Sequence, residues 1–284
     1  VKNTLPVPIT EINAGTSRFW MHRPQGVVAD AVSLIWASEG VAAFREERII
    51  PDGAGVLLFN FGDAVRSEAA GSGETTLFNR VMLSGVFTHA ASMFYQPGMQ
   101  HEQLGIIFYP YAIGQLLGCT AEAVSNIAIT QTDLPAHLHL LWEQLAACTH
   151  PAQRILLVLQ WLQNQLHSAP LSQPLVQFIR RYRHETAAEI TARTGYSQQH
   201  LNRLLRRDTG VNLKTLQRIF RLNDAVQVLS LPSQHSDNLT ALAVDAGYFD
   251  QAHFNHEFKA MTGFTPAAFR KMGGVVAGRV IYLH

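Results

Sequence analysis

Six polar side chains stand together in QQHLNRLLRRD, residues 198–208: Gln198, Gln199, Asn202, Arg203, Arg206 and Arg207. Wound as a helix, the stretch puts Leu201, Leu204 and Leu205 on a buried face and those six on the outer one. A second set, Gln251, His253, Asn255, His256 and Lys259, stands opposite Phe254, Phe258 and Met261 in QAHFNHEFKAM. Asn and Gln can grip adenine through two hydrogen bonds, and Arg can grip guanine in the same way. Arg206, Arg207 and Lys259, farther along their helices, suit phosphate oxygens. The chemistry on offer is recognition of a nucleic-acid groove rather than bond making.

The elements needed to position such faces are written twice. GYSQQHLNRLLRRDTG (Gly195–Gly210) and GYFDQAHFNHEFKAMTG (Gly247–Gly263) share Gly-Tyr, Gln, His, Asn and Thr-Gly, with one residue inserted after Phe249. An echo of this kind marks one structural unit used twice. Thr186-Ala-Ala-Glu189 reads as a capping box, Ile190 as the buried side of the helix it starts, Gly195 as a left-handed turn and Ser197 as the cap of the next helix. Leu242, Ala243, Ala246 and Gly247 repeat the pattern, with a second helix from about Asp250 to Met261. Helix, glycine turn and helix make a helix-turn-helix, whose second helix can lie in the major groove. Between the units, LKTLQRIFRLNDAVQVL (Leu213–Leu229) reads as one long helix with Leu216, Ile219, Phe220, Ala225 and Leu229 inside. A rigid joining helix would let the two units enter successive major grooves, about 34 Å apart. A solvated helix face carries the same residue types, but two matched helices after glycine turns favour the groove reading.

The charge balance agrees. The net charge of the 284 residues is +1, yet residues 1–170 hold 8 Lys/Arg against 13 Asp/Glu, while residues 171–273 hold 13 against 8. Only the basic back is expected to meet a polyanion. Two cysteines, Cys119 and Cys148, make neither a disulfide framework nor an all-cysteine zinc site. VKNTLPVPITEINAG has no long apolar run, so no signal peptide is read there, and ILLVLQWLQ is interrupted too early to span a bilayer. A cytoplasmic protein without membrane contact is expected.

The first half reads as strands: Ala31–Ala37, Gly55–Gly62, Arg80–Phe87 and Leu104–Pro110, separated by turn residues such as Pro51–Gly55. Ala112–Leu117 reads as a short helix closed by Gly118. Leu134, Leu138, Leu141 and Leu145, then Ile155, Leu159, Leu162 and Leu166, form stripes on two further helices. The stripes suit either packing against the strands or the seam of a homodimer. SAPLSQP (Ser168–Pro174) is the linker, and GGVVAGRVIYLH reads as either a late strand or a tail. The expected fold is α+β. Residues 1–130 form a β-rich, cupin-like barrel or sandwich, 131–170 a helical linker, 171–273 an all-α domain with two helix-turn-helix motifs, and 274–284 a tail.

Residues 172–272 resemble the DNA-binding domain of the AraC/XylS family of transcription regulators. The resemblance rests on GYSQQHLNRLLRRDTGVN, RLNDAVQVL and LAVDAGYFDQAHFNHEFKAMTGFTPAAFRK. It implies a seven-helix domain that binds double-stranded promoter DNA to activate or repress transcription, with RNA polymerase as a further partner. On that pattern Gln199, Asn202 and Arg203 are the base-contacting positions of the first motif, and Gln251, Ala252, His253, Asn255 and His256 correspond in the second. Many members carry Arg where this chain has His256, Glu257 adds a negative charge beside it, and Asp245 adds another acid. The second unit is therefore expected to grip mainly phosphates. IIPDGAGVLLFNFGD and GIIFYPYAIGQLLG resemble, more loosely, the β-rich sensor domains that precede this module, which implies a small-molecule effector.

Trp20, Trp36, Phe59, Phe61, Phe94, Phe108 and Tyr111 could line an apolar pocket for that effector, or fill the core. Control by a protein partner without any ligand is a further alternative. A cupin-type metalloenzyme would draw on His22, His89, His101 and Glu102, but no His-x-His motif is present, and neighbours 101 and 102 would point to opposite faces of a strand. No phosphate loop, nucleophile elbow or paired carboxylates stand out. No cofactor, metal or catalytic residue is expected.

Overall fold

The computed structural model describes residues 7–14, 16–68, 73–130, 133–168, 174–231, 239–272 and 280–283. Most of the proposed linker, and most of the tail, lie outside the described residues.

The chain begins with strands β1 (Thr10–Ala14), β2 (Ser17–His22), β3 (Val32–Val41), β4 (Glu46–Ile49), β5 (Gly55–Asn60), β6 (Val65–Glu68), β7 (Thr75–Phe78), β8 (Val81–Ser84), β9 (Ala91–Phe94) and β10 (Gln100–Phe108). After helix α1 (Pro110–Leu117) comes β11 (Ala128–Thr130). Two antiparallel sheets result. One has the order β1-β2-β3-β10-β5-β8-β11. The other runs β4-β9-β6-β7 and carries at the outer side of β4 a strand from the far end of the sequence, β12 (Val280–Leu283). The fold is α+β, as expected, with a β-rich half and a helical half.

Both faces of the larger sheet are buried, and strand alternation sorts its side chains between them. Ile35, Ala37, Leu57, Phe59, Leu83, Leu104, Ile106 and Phe108 join the main hydrophobic cluster with the helices. Trp36, Val56, Leu58 and Met82 belong instead to the cluster between the sheets. Gly105 lies opposite Trp36 on the neighbouring strand, and a Cβ there would sit 2.3 Å from the indole. Glycine lets that ring lie flat against the sheet.

Helices α2 (Ala136–Ala146) and α3 (Pro151–Ser168) cover the larger sheet. Leu138, Leu141 and Leu145 of the first stripe and all four residues of the second are buried in the main cluster, as is Leu134 just before α2. Packing against the strands consumes both stripes, so the dimer seam read from them is corrected: those side chains face this chain's own sheet. Arg154 anchors α3, donating to Glu102 at 2.6 Å and to the carbonyls of Leu145 and Cys148.

Among the described residues seven helices follow: α4 (Pro174–Arg181), α5 (Ala187–Thr194), α6 (Gln198–Thr209), α7 (Leu213–Leu229), α8 (Leu239–Asp245), α9 (Gln251–Thr262) and α10 (Pro266–Lys271). The capping box forms in full: Thr186 accepts from the Glu189 N–H, and the Glu189 carboxylate accepts the Thr186 N–H at 2.7 Å. These bonds hold the Glu189 carboxyl below its usual range. No described helix is long and apolar enough to cross a membrane.

The candidate nucleic-acid interface

Recognition helices α6 and α9 are built on one frame. Each is preceded by a glycine at positive φ, Gly195 (71°) and Gly247 (81°). Each is capped by the residue before it: Ser197 accepts from the His200 N–H and Asp250 from the His253 N–H. The tyrosine after each glycine packs on the histidine of its helix, Tyr196 on His200 at 4.9 Å and Tyr248 on His253 at 5.5 Å between ring centres. At the far end Thr209 and Thr262 are fully buried and bond identically. Each hydroxyl donates to the carbonyl four residues back, at 2.7 and 2.8 Å, and meets the backbone two residues ahead. Gly210 and Gly263 then end the helices at positive φ. Gly-Tyr, His and Thr-Gly, the letters of the echo, are thus the scaffold.

The outer faces differ. On α6, Gln198, Gln199, Arg203, Arg206 and Arg207 are exposed. Arg207 is held by the carboxylate of Asp208 at 2.6 Å, whereas Arg206 has no carboxylate partner among the described residues. Asn202 is half-buried, and its side-chain oxygen accepts the N–H of Leu213 at 3.0 Å. On α9, Ala252, His253, His256 and Lys259 are exposed. Gln251 is half-buried and accepts from the Thr240 hydroxyl at 2.7 Å. Asn255 is half-buried too, with its oxygen turned inward.

Two expectations reverse. Leu204, read as buried, is only partly so, while Glu257 in the matching place is 7% exposed. The Glu257 carboxylate lies 3.2 Å from Arg218 and 3.8 Å from Arg221, both on α7, and 3.5 Å from the His253 ring. Its charge therefore faces the joining helix and does not oppose DNA. Helical spacing alone could not separate these two positions, since both lie at the edge of the apolar stripe. Asp245 is exposed at the end of α8.

Both recognition helices meet the β-rich half by their C-terminal ends. Helix α6 packs against α1, and a Cβ on Gly210 would come within 2.5 Å of the Ala121 carbonyl. At the end of α9, the Met261 carbonyl accepts from Ala90 N–H at 2.8 Å, and Arg48 lies over the Phe264 ring. The Gly53 turn approaches Ile219 and Phe220 of α7.

The aromatic set proposed as a pocket lining does not converge, which corrects that reading. Trp20, Phe59 and Phe108 face the helices in the main core. Phe61 stacks on Trp142 beneath Arg154, and Phe94 lies under Arg66. Tyr111 lines a cleft of about 860 Å³ between the two halves, shared with Arg23, Arg180 and Phe220. Trp36 lines a smaller cavity of about 360 Å³ between the sheets. The period-two alternation decides which aromatic goes where, and composition does not reveal its phase. The cupin-type residues also stay apart. His22 bonds the Pro8 carbonyl, His89 meets Thr88, Glu102 pairs with Arg154, and His101 is buried between the sheets. Among the described residues no three metal-ligating side chains cluster.

Two helix-turn-helix units joined by one helix, in a basic seven-helix domain, define a DNA-binding module. Residues 190–272 match a family described as a helix-turn-helix domain, and residues 21–130 match one described as a domain of unknown function, DUF6597. Residues 190–272 are a helix-turn-helix domain of the AraC type, and the chain is a DNA-binding protein.

No curated protein matches the chain in sequence. Among solved structures it is similar to ToxT from Vibrio cholerae, at 9% identity over 84% of this chain and 98% of that one, with a TM-score of 0.48. A ToxT structure bound to an unsaturated fatty acid is 8% identical over 93% of this chain and 98% of that one, TM-score 0.46. A probable AraC family transcriptional regulator from Rhodopseudomonas palustris is 22% identical over 35% of this chain and 94% of that one, TM-score 0.32.

Proposed function

We propose that this regulator reads two successive major grooves of promoter DNA, with α6 as the main base reader and α9 chiefly a phosphate grip. The observation that carries this reading is the identical frame of the two helices combined with their different outer faces. Gln199 and Arg203 on α6 suit adenine and guanine edges. Ala252 and His256, in the same places on α9, offer less base discrimination, while Lys259 suits phosphate. Gln198, Gln251, Arg206 and Arg207 complete the contact surface. Asn202, Asn255 and His253 belong to it by position, but the contacts of Asn202 and His253 argue for holding the helices in place.

The β-rich half is read as a sensor of a small molecule, and the cavity between its sheets supports that reading. No catalytic step is part of this function. A second copy of the chain and RNA polymerase remain expected partners, and a cytoplasmic location follows from DNA as the target.

The test is selection of bound duplexes from a random pool by the full chain. Two preferred blocks should emerge about one helical turn, roughly 10 base pairs, apart, with the stronger preference in one of them. A single block, or none, would refute the two-groove reading.

A further inference from the structure

Strand β12 follows the DNA-binding helices in sequence but belongs to the sensor. It pairs antiparallel with β4, Val280 opposite Ile49 and Tyr282 opposite Glu47. Its two faces serve different parts of the molecule. Val280 and Tyr282 line the cavity between the sheets, and Tyr282 packs on Phe44 at 4.5 Å between ring centres. Ile281, facing the other way, is buried in the cluster that also contains Phe254, Phe258 and Phe269 of the DNA-binding domain.

The cavity has a defined chemistry. Phe19, Trp36, Met82 and Met93 form apolar walls, and among the described residues no Lys or Arg lines it. Among the described lining residues the one carboxyl is that of Glu47, which accepts hydrogen bonds from the hydroxyls of Tyr95, at 2.7 Å, and of Tyr282. Burial holds the Glu47 carboxyl above its usual range. Behind it His101, 2% exposed, has both ring nitrogens without a hydrogen-bond partner among the described residues. Thioether sulfurs and aromatic walls favour an aromatic guest. A carboxyl already engaged by two phenolic hydroxyls has acceptor capacity for a third donor. An anionic guest would lose its hydration and meet no Lys or Arg among the described lining residues in return.

We propose that this cavity binds an uncharged aromatic molecule bearing a hydroxyl that bonds Glu47, and that β12 is the wall through which its occupancy reaches the DNA-binding domain. The proposal rests on reading the β-rich half as a sensor. Because two lining residues come from β12, a guest gains their contacts only while the strand is docked. Differential affinity of this kind shifts the population toward the docked state. Coupling is reciprocal, so β12 strengthens the guest by the factor with which the guest holds β12.

The experiment uses the full chain, with 2-naphthol as probe and 2-naphthoate as its anionic counterpart. Binding is followed by quenching of tryptophan fluorescence, and β12 by hydrogen exchange of the peptide covering residues 280–283. Saturating 2-naphthol should slow exchange in β12 about tenfold, and Tyr282→Ala should weaken 2-naphthol by a similar factor. Glu47→Leu should remove the preference for 2-naphthol over naphthalene. Should Tyr282→Ala fold poorly, the wild-type exchange measurement stands by itself. Equal binding of 2-naphthoate, no binding of 2-naphthol, or unchanged or faster exchange in β12 would overturn the proposal. None of these readouts involves DNA, so failure here is distinguishable from failure of the groove reading.

Discussion

The side-chain oxygen of Asn202 accepts the backbone N–H of Leu213 at 3.0 Å and ties the first recognition helix to the start of the joining helix. Asn255 holds the same place in the second unit, and the residue eleven positions on is Pro266. Proline has no N–H to donate. The Asn255 oxygen is accordingly buried without a partner among the described residues. One bond is made and its twin cannot be, although the sequence repeats the asparagine. Asn202→Ala should therefore destabilise the chain by about 1 kcal/mol, while Asn255→Leu should be neutral or stabilising. Urea denaturation of both variants checks this, and equal losses would refute it.

Arg203, Arg206 and Arg207 are distinguished by their neighbours. Arg203 is near the middle of α6 and lies 3.3 Å from His200 Nδ1. Arg203→Ala should cost about 1–3 kcal/mol on the preferred duplex and relax its sequence preference. Arg206→Ala should weaken all duplexes alike and reduce the salt slope by about 1. Arg207 is already paired with Asp208, so Arg207→Ala should have the smaller effect of the two phosphate-grip variants. Titrations on preferred and scrambled duplexes across a salt series separate the three. A larger loss at Arg207 than at Arg206 would show that the Asp208 pair opens on DNA.

The DNA-binding half was largely legible because its signals are local. Thr186 with Glu189, Gly195, Ser197 and the apolar face of Leu213–Leu229 each act within a turn or two of helix, where spacing dictates contact. The β-rich half was legible only where strands are apolar. β4 (EERI) and β6 (VRSE) are short and charged, and they are strands only because the smaller sheet supplies their partners. The same holds for β12, whose pairing with β4 joins residues more than 230 positions apart. The letters shared by the echo do not all do the same work. Asn202 bonds the start of α7 and His253 packs on Tyr248, whereas Asn255 repeats the letter without the bond.

Gly195 and Gly210 both adopt left-handed backbone, at φ 71° and 78°, but in different surroundings. A Cβ on Gly195 meets nothing within 4 Å, whereas one on Gly210 would lie 2.5 Å from the Ala121 carbonyl and 2.8 Å from Ser125 Cβ. Gly195→Ala should cost only the left-handed penalty, about 1–2 kcal/mol. Gly210→Ala should cost more and loosen α6 from the segment after α1. Hydrogen exchange in residues 119–127 would rise in the Gly210 variant alone. Identical behaviour of the two would mean that the β-rich half does not hold α6.

Glu257 tests whether α9 is fixed through α7. Its carboxylate sits between Arg218 and Arg221, and the Arg221 Nε has no partner among the described residues. Glu257→Gln removes the charge with little change in shape and should destabilise by about 1.5–3 kcal/mol. Affinity for a duplex carrying both half-sites should fall further than affinity for the α6 half-site alone. An equal fall on both would show that Glu257 acts on overall stability and not on the placement of α9.

Glu47 gives the β-rich half a pH signature whose sign follows from burial. Desolvation raises its carboxyl above the usual 4.5, opposed by the nearby His101 and the hydroxyls of Tyr95 and Tyr282. The folded state therefore holds the proton more tightly than the unfolded chain does. This contribution to stability is fully present below pH 4.5 and is lost as pH rises through the raised folded value. In Glu47→Gln the side chain stays neutral at every pH. The melting midpoint of the variant should match the wild type near pH 4 and exceed it increasingly as pH rises above 4.5, levelling off once the buried carboxyl has ionised. A difference that shrinks with rising pH would mean that the ionised form is the one the fold prefers, with His101 as its charged partner.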